Sequence, residues 1–121
     1  MESLGIDIVS VSDEGVVATM PVDDRTRQPF GLLHGGASVA LAETVASIGA
    51  FHFIDKETEA CVGLEINANH IRGKKSGIVT AHGNPLHRGK TTMVWEVKIV
   101  DEDEKLICVS RCTIAIIKRK I

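Results

Sequence analysis

The sequence predicts an α+β fold in which a curved antiparallel sheet wraps one long helix, and three observations lead there. From Gly36 to about Phe53, apolar and small residues fall on every face, the pattern of a helix that is buried all round. Segments of strand-like alternation lie on both sides of this run, two before it and four after it. The 121 residues suffice for one domain, spanning 1–121, that buries about two-thirds of its unfolded surface and leaves no room for a second.

The elements follow in order. "GIDIVSV" (Gly5 to Val11) and "GVVATMPV" (Gly15 to Val22) flank the polar turn "SDE", a hairpin signal, and Pro21, lacking a donor, should end or edge the second strand. "DDRTRQPFGLLHGG" is rich in charge, Pro and Gly and reads as a long ordered loop entering the helix. Within the helix, Val39, Leu41, Val45, Ile48 and Phe51 alternate with Ala37, Ala40, Ala42, Ala46 and Ala50, and "IDKETEA" closes it as a solvent loop. "CVGLEINANHIR" places Leu64, Ile66, Ala68, His70 and Arg72 on one face of a strand. "GIVTAHG", "TTMVWEVKIVD" and "KLICVSRCTIAII" complete the sheet, the last two joined by "DEDE", and "KRK" forms a solvated tail.

Composition excludes several classes. With 44% hydrophobic and 25% charged residues, and 14 basic against 16 acidic side chains, the chain is an ordinary soluble domain with no nucleic-acid signature. The N-terminal stretch alternates like a strand instead of showing a basic segment followed by an apolar one, and Glu43 interrupts the longest weakly polar run. A cytoplasmic protein without a membrane partner is expected. Cys61, Cys108 and Cys112 are odd in number and form no C-x-x-C pair, so they read as small buried hydrophobes in a reducing compartment. Four residues apart in a strand, Cys108 and Cys112 stand about 13 Å from each other, too far to share a metal.

One charge stands out inside the helix. Glu43 must be paired, protonated or open to a cleft, because burying a lone carboxylate is costly. Ser47, four residues on, shares its face, and Ala40 and Ala50 keep that face narrow enough for a ligand or neighbouring chain to approach. A structural tie to an Arg or His of the sheet and a functional role both remain open at this point. "HGG" (His34 to Gly36) leaves unobstructed N–H groups at the helix N-terminus, suited to an anion or a developing oxyanion, or else simply makes a turn. Gln28 can aim its amide at the same oxygen. Glu43 lies seven residues beyond Gly36, about 10 Å along the axis. Both groups must come within about 3 Å of one reacting carbonyl, so if they serve one reaction they come from different subunits of a two-fold dimer.

Two basic hairpins, "HIRGKK" (His70 to Lys75) and "HRGKTT" (His87 to Thr92), offer Arg72, Lys74, Lys75, Arg88 and Lys90 with the hydroxyls of Thr91 and Thr92. They read either as phosphate sites or as solvated turns. "GKTT" is no P-loop, since Asn84 stands where the first glycine is needed and a strand follows instead of a helix. "GGASVA" is not G-x-S-x-G, and no histidine pair has zinc-site spacing.

Taken together, "MPVDDRTRQPFGLLHGGASVALAETVAS", "VGLEINANHIR" and "PLHRGKTTMVWEVKIVDEDEKLI" resemble, over nearly the whole chain, the hotdog-fold acyl-CoA thioesterases. The resemblance is to the branch of the phenylacetate-pathway and Arthrobacter-type 4-hydroxybenzoyl-CoA thioesterases and the bacterial 1,4-dihydroxy-2-naphthoyl-CoA hydrolases of menaquinone synthesis. It implies dimers joined sheet edge to sheet edge, and homotetramers made of two dimers. It also implies that Glu43 is the catalytic carboxylate, that Gln28 and the Gly35 N–H polarise the thioester carbonyl with His34 beside them, and that Ser47 positions water or acyl group. Glu43 and Ser47 would act from the opposite subunit. Gly63, His70, Ile71, Arg72 and Gly73, with His87, Arg88, Gly89, Lys90, Thr91 and Thr92, match the segments that hold coenzyme A. Members often carry an extra N-terminal helix, which this chain is not expected to have.

The expected activity is hydrolysis of acyl-CoA thioesters, aromatic or broad in range, with no cofactor beyond the coenzyme A of the substrate and no metal. Glu43 would act as general base or as nucleophile. Two alternatives stay open: a hotdog hydratase or dehydratase, and a non-catalytic acyl-CoA sensor.

Overall fold

The computed structural model describes residues 3–119. Its elements are β1 (Asp7–Ser12), β2 (Gly15–Val22), α1 (Gly35–Phe53), β3 (Glu59–His70), β4 (Gly77–Arg88), β5 (Thr92–Val100) and β6 (Leu106–Lys118). All six strands form one antiparallel sheet in the order β1-β2-β4-β5-β6-β3, and the helix packs against one face of it, the α+β arrangement that the sequence predicts.

Alternation explains the packing. On β2, Val16, Ala18, Met20 and Val22 point inward, matched by Val79 and Ala81 on β4, by Met93, Trp95, Val97 and Ile99 on β5, and by Cys108, Cys112 and Ile114 on β6. The helix contributes Leu41, Ala42, Val45, Ala46 and Ala50. Trp95, fully buried, fits only because Gly49 passes over its ring, where any Cβ would collide with the indole. Burial pushes the Cys108 thiol up, and burial with the Glu43 and Glu65 carboxylates pushes Cys112 up to about 11. Cys61 is also raised, chiefly by burial, so none of the three thiols is primed as a nucleophile.

Several expectations need correction. The helix is not buried all round: Glu43 and Phe51 are exposed and Val39, Ala40 and Ser47 half-buried, while Ala50 faces the core. β4 does not stop at Gly83 but continues to Arg88 through a bulge between Pro85 and His87, and such a bulge tolerates a proline. A second bulge, between Gly63 and Glu65, shifts the alternation of β3. Ile66 and Ala68 therefore pack inward while Leu64 is 60% exposed, and Arg72 lies beyond the strand. "HIRGKK" is not a hairpin. β3 pairs with β6, and residues 71–76 cross the sheet end to reach β4. Lys118 belongs to β6 and Arg119 donates to the Lys56 carbonyl at 2.7 Å, so these two are no free tail; Lys120 lies outside the described residues. Pro21 falls beyond the last β1 pair, at Thr19, where β2 has become a local edge.

Candidate active site

The chain between β2 and α1 is built to hold Gln28 still. Buried Thr26 anchors the loop, donating to the Pro21 carbonyl at 2.8 Å and accepting from the His34 N–H at 2.7 Å through its own carbonyl. The Gln28 N–H donates to the Leu32 carbonyl at 2.7 Å, and its Oε1 accepts from Phe30 N (2.7 Å) and Leu32 N (3.1 Å). Two backbone donors on the side-chain oxygen fix the orientation of the amide, so Nε2 carries its hydrogens away from the loop.

His34 caps the helix. Its Nδ1 accepts from Gly36 N–H at 2.7 Å, so that N–H is already occupied, contrary to the open "HGG" expected from sequence. Gly35 N–H has no acceptor among the described residues. A side chain at Gly35 would bring its Cβ to 3.1 Å from the His70 ring, so glycine is what lets β3 and the helix start converge. Gln28, Gly35, His70, Ile71, Arg72 and Gly73, with Leu32, Leu33, Ser38 and Ile107, line one cleft of about 330 Å³. Its polar donors stand at the positive end of the helix, where they can stabilise an oxyanion.

The wall formed by residues 71–76 is clamped from outside. Lys74 pairs with Glu102 in the β5–β6 turn, Glu102 accepts from Ile78 N at 2.9 Å, and Leu33 N donates to the Lys74 carbonyl at 2.8 Å. Lys74 is therefore a structural cation, not a phosphate ligand. The ammonium of Lys74 and the Ile78 N–H lower the Glu102 carboxyl from its ordinary 4.5 to about 2. A carboxyl depressed on folding stabilises above its unfolded value and loses that contribution as pH falls through the folded one. The clamp is thus intact at neutral pH and released only toward pH 2. Glu102→Gln is expected to speed hydrogen exchange at Ile78 at pH 7; unchanged exchange would show that the clamp does not hold this wall.

Glu43 and Ser47 are elsewhere. Neither lines the cleft at the helix start. Glu43 is exposed, with Oε2 3.6 Å from where a Cβ on Gly63 would stand, so it lies over β3 beside the bulge. Ser47 lines a second cleft of about 450 Å³ with Phe51, Ala60 and Cys61. Among the described residues the outer edge of β3 has no strand partner, because β3 pairs only with β6. An uncovered helix face and an unpaired strand edge therefore lie side by side. The turn His87–Thr92 is at the other end of the molecule, about 27 Å along the helix from Gly35. There the Arg88 guanidinium stacks 4.0 Å over Phe53, and Lys90 shares a third cleft with it. The two basic segments that the sequence presents together are thus separated within one chain.

Two features escaped sequence reasoning. Ser38 is one of them, since nothing in a helical serine signals a cleft. The Glu102 clamp is the other, because Glu102 read simply as part of an acidic turn. No helix among the described residues is long and apolar enough to cross a membrane.

Residues 30–108 match the family model of the thioesterase superfamily. The chain is 61% identical, over 98% of its length and 94% of the relative's, to ComA2 of Bacillus subtilis, whose name says esterase and no substrate. It is 54% identical, over 98% of its length and 96% of the relative's, to the 1,4-dihydroxy-2-naphthoyl-CoA hydrolase of Listeria monocytogenes. Solved variants of the thioesterase SAV0944 from Staphylococcus aureus superpose with TM-scores of 0.94 and 0.92 at 48% and 49% identity. One covers 98% of both chains and the other 95%. In those two variants a glutamate and a glutamine fifteen residues apart are replaced by alanine, the spacing of Gln28 and Glu43 here. By sequence and by fold, a single helix packed on a six-stranded antiparallel sheet, the chain belongs to the thioesterase superfamily.

Proposed function

We propose that the protein hydrolyses acyl-CoA thioesters in composite sites, two per homodimer, with 1,4-dihydroxy-2-naphthoyl-CoA as a substrate. The observation that carries this reading is the division of the machinery. The cleft at the helix N-terminus holds unoccupied donors, Gly35 N–H and the Gln28 amide, and lacks a carboxylate. The carboxylate, Glu43, stands exposed beside an unpaired strand edge. Pairing β3 with the β3 of a second copy would satisfy that edge and cover that helix face with one operation.

In the completed site the thioester carbonyl accepts from Gly35 N–H and Gln28, which stabilise the tetrahedral oxyanion. Glu43 of the partner subunit delivers the attack, as base to a water or as nucleophile, with Ser47 beside it. Coenzyme A leaves as the thiol and the acyl group as the acid. Incorporation of oxygen-18 into Glu43 in a single turnover in labelled water distinguishes the two routes. Arg72 and the segment Arg88 to Thr92 bind the phosphates of coenzyme A, and because they are far apart in one chain they meet one ligand only across the dimer. Lys90→Ala is expected to raise KM about tenfold with kcat nearly unchanged, and an unchanged KM would return Lys90 to a solvated turn.

The deciding measurement is thiol release from a panel of aromatic, short-chain and medium-chain acyl-CoAs. Turnover with preference for the aromatic members supports the reading. Tight acyl-CoA binding without thiol release would sink it in favour of a sensor, and turnover of enoyl or hydroxyacyl thioesters without thiol release would favour a hydratase.

A further inference from the structure

One polar group in the oxyanion cleft has no part in the reading above. Ser38 is 2% exposed and lines the same cleft as Gln28 and Gly35. It follows Gly35 by three residues, which puts it on the same helical face about 4.5 Å further along the axis. A buried helical serine usually satisfies its hydroxyl by bonding the carbonyl four residues back. Thr44 does this with Ala40 at 2.7 Å. For Ser38 that carbonyl belongs to His34, and it already receives Ala37 N–H at 3.0 Å and Ser38 N–H at 3.2 Å. The Ser38 hydroxyl has no hydrogen-bond partner among the described residues, and the one sealed, unpartnered side-chain polar atom there is Trp95 Nε1. Ser38 Oγ is thus open to the cleft, whose lining also includes the apolar residues Leu32, Leu33, Ile71 and Ile107.

A hydroxyl in that position is a ligand group awaiting a partner. With the thioester oxygen on Gly35 N–H and the Gln28 amide, a donor–acceptor one helical turn deeper reaches a substituent on the carbon next to the acylated one. We propose that Ser38 is a specificity-determining residue that hydrogen-bonds a hydroxyl carried by the acyl group beside its thioester carbonyl. Acyl groups with that hydroxyl are then hydrolysed in preference to those without it. The inference rests on the thioesterase site described above, and the substrate proposed there has such a group, its 1-hydroxyl next to the acyl carbon at position 2. The chemistry favours discrimination, because a site built to bond a hydroxyl leaves its own polar group unpaired when the analogue lacks one.

The test compares 2-hydroxybenzoyl-CoA with benzoyl-CoA and 3-hydroxybenzoyl-CoA, using the full chain and Ser38→Ala. The unaltered protein should favour the 2-hydroxy compound over both others by about tenfold or more in kcat/KM. Ser38→Ala should abolish that preference by lowering kcat/KM for the 2-hydroxy compound about tenfold more than for benzoyl-CoA, with unchanged Trp95 emission verifying the fold. An unchanged ratio, or an equal loss on all three substrates, would overturn the assignment and leave Ser38 a packing residue. If the unaltered protein hydrolyses none of the three or any other acyl-CoA, the thioesterase site falls and this proposal with it. That result differs from turnover of all three with no Ser38-dependent preference, which overturns Ser38 alone.

Discussion

Glu43→Ala is expected to lower kcat by about 10³-fold while leaving the fold and the affinity for coenzyme A intact. The expectation follows from where the side chain is. Glu43 is exposed, lying over β3 beside its bulge, and it forms no hydrogen bond or ion pair among the described residues, so its removal breaks no internal polar contact. Only a role in chemistry would then make the loss large. Steady-state kinetics of the variant beside an isothermal titration with coenzyme A separates the two quantities, and near-normal turnover would remove Glu43 from the mechanism.

The second large effect is a recovery. Gln28→Ala deletes the amide that the loop aims into the cleft, and Glu43→Ala deletes the carboxylate; each homodimer should be nearly inactive. If every site takes Gln28 from one subunit and Glu43 from the other, a mixed dimer of the two variants contains one fully native site and one doubly altered site. Refolding or co-expressing the variants together should therefore restore up to half the native activity per mixed dimer. If both residues serve a site within one chain, mixing restores nothing. The predicted recovery is qualitative, from almost none to a substantial fraction, and variation in expression cannot imitate it.

Much of the architecture was legible in the residues because alternation and turn chemistry are local signals. The bounds of β2 agree with the sequence reading, and those of α1 differ from it by one residue. What failed was information that depends on neighbours. The sequence reading ends β4 at Gly83, before Asn84 and Pro85, but with β5 alongside them a bulge absorbs the proline and the strand runs on. "HIRGKK" looks like a hairpin because adjacent strands usually pair, yet β3 pairs with β6 and leaves the basic stretch as a crossover. The burial of the helix was overestimated for a related reason. Apolar and small residues are needed equally by a face that meets the sheet and by one that meets another molecule, so composition alone does not say which surface covers Val39, Ala40 and Phe51. At the site, the meeting of Gln28 and Gly35 in one cleft was within reach because their motif is compact. Ser38 and Glu102 were not, since one depends on a saturated His34 carbonyl and the other on a contact 28 residues away in the chain.

The packing of Trp95 under Gly49 also has a practical consequence. It is the one tryptophan of the chain, fully buried, with its indole N–H unbonded. Its fluorescence must therefore come from a dry, nonpolar setting, at short wavelength, and shift to the red when water enters. Gly49 lies on a different face of the helix from Glu43, so substitutions at Glu43 should leave that emission unchanged. Each altered protein thus carries its own optical gauge of whether the interior survived, readable in the same cuvette as the kinetics.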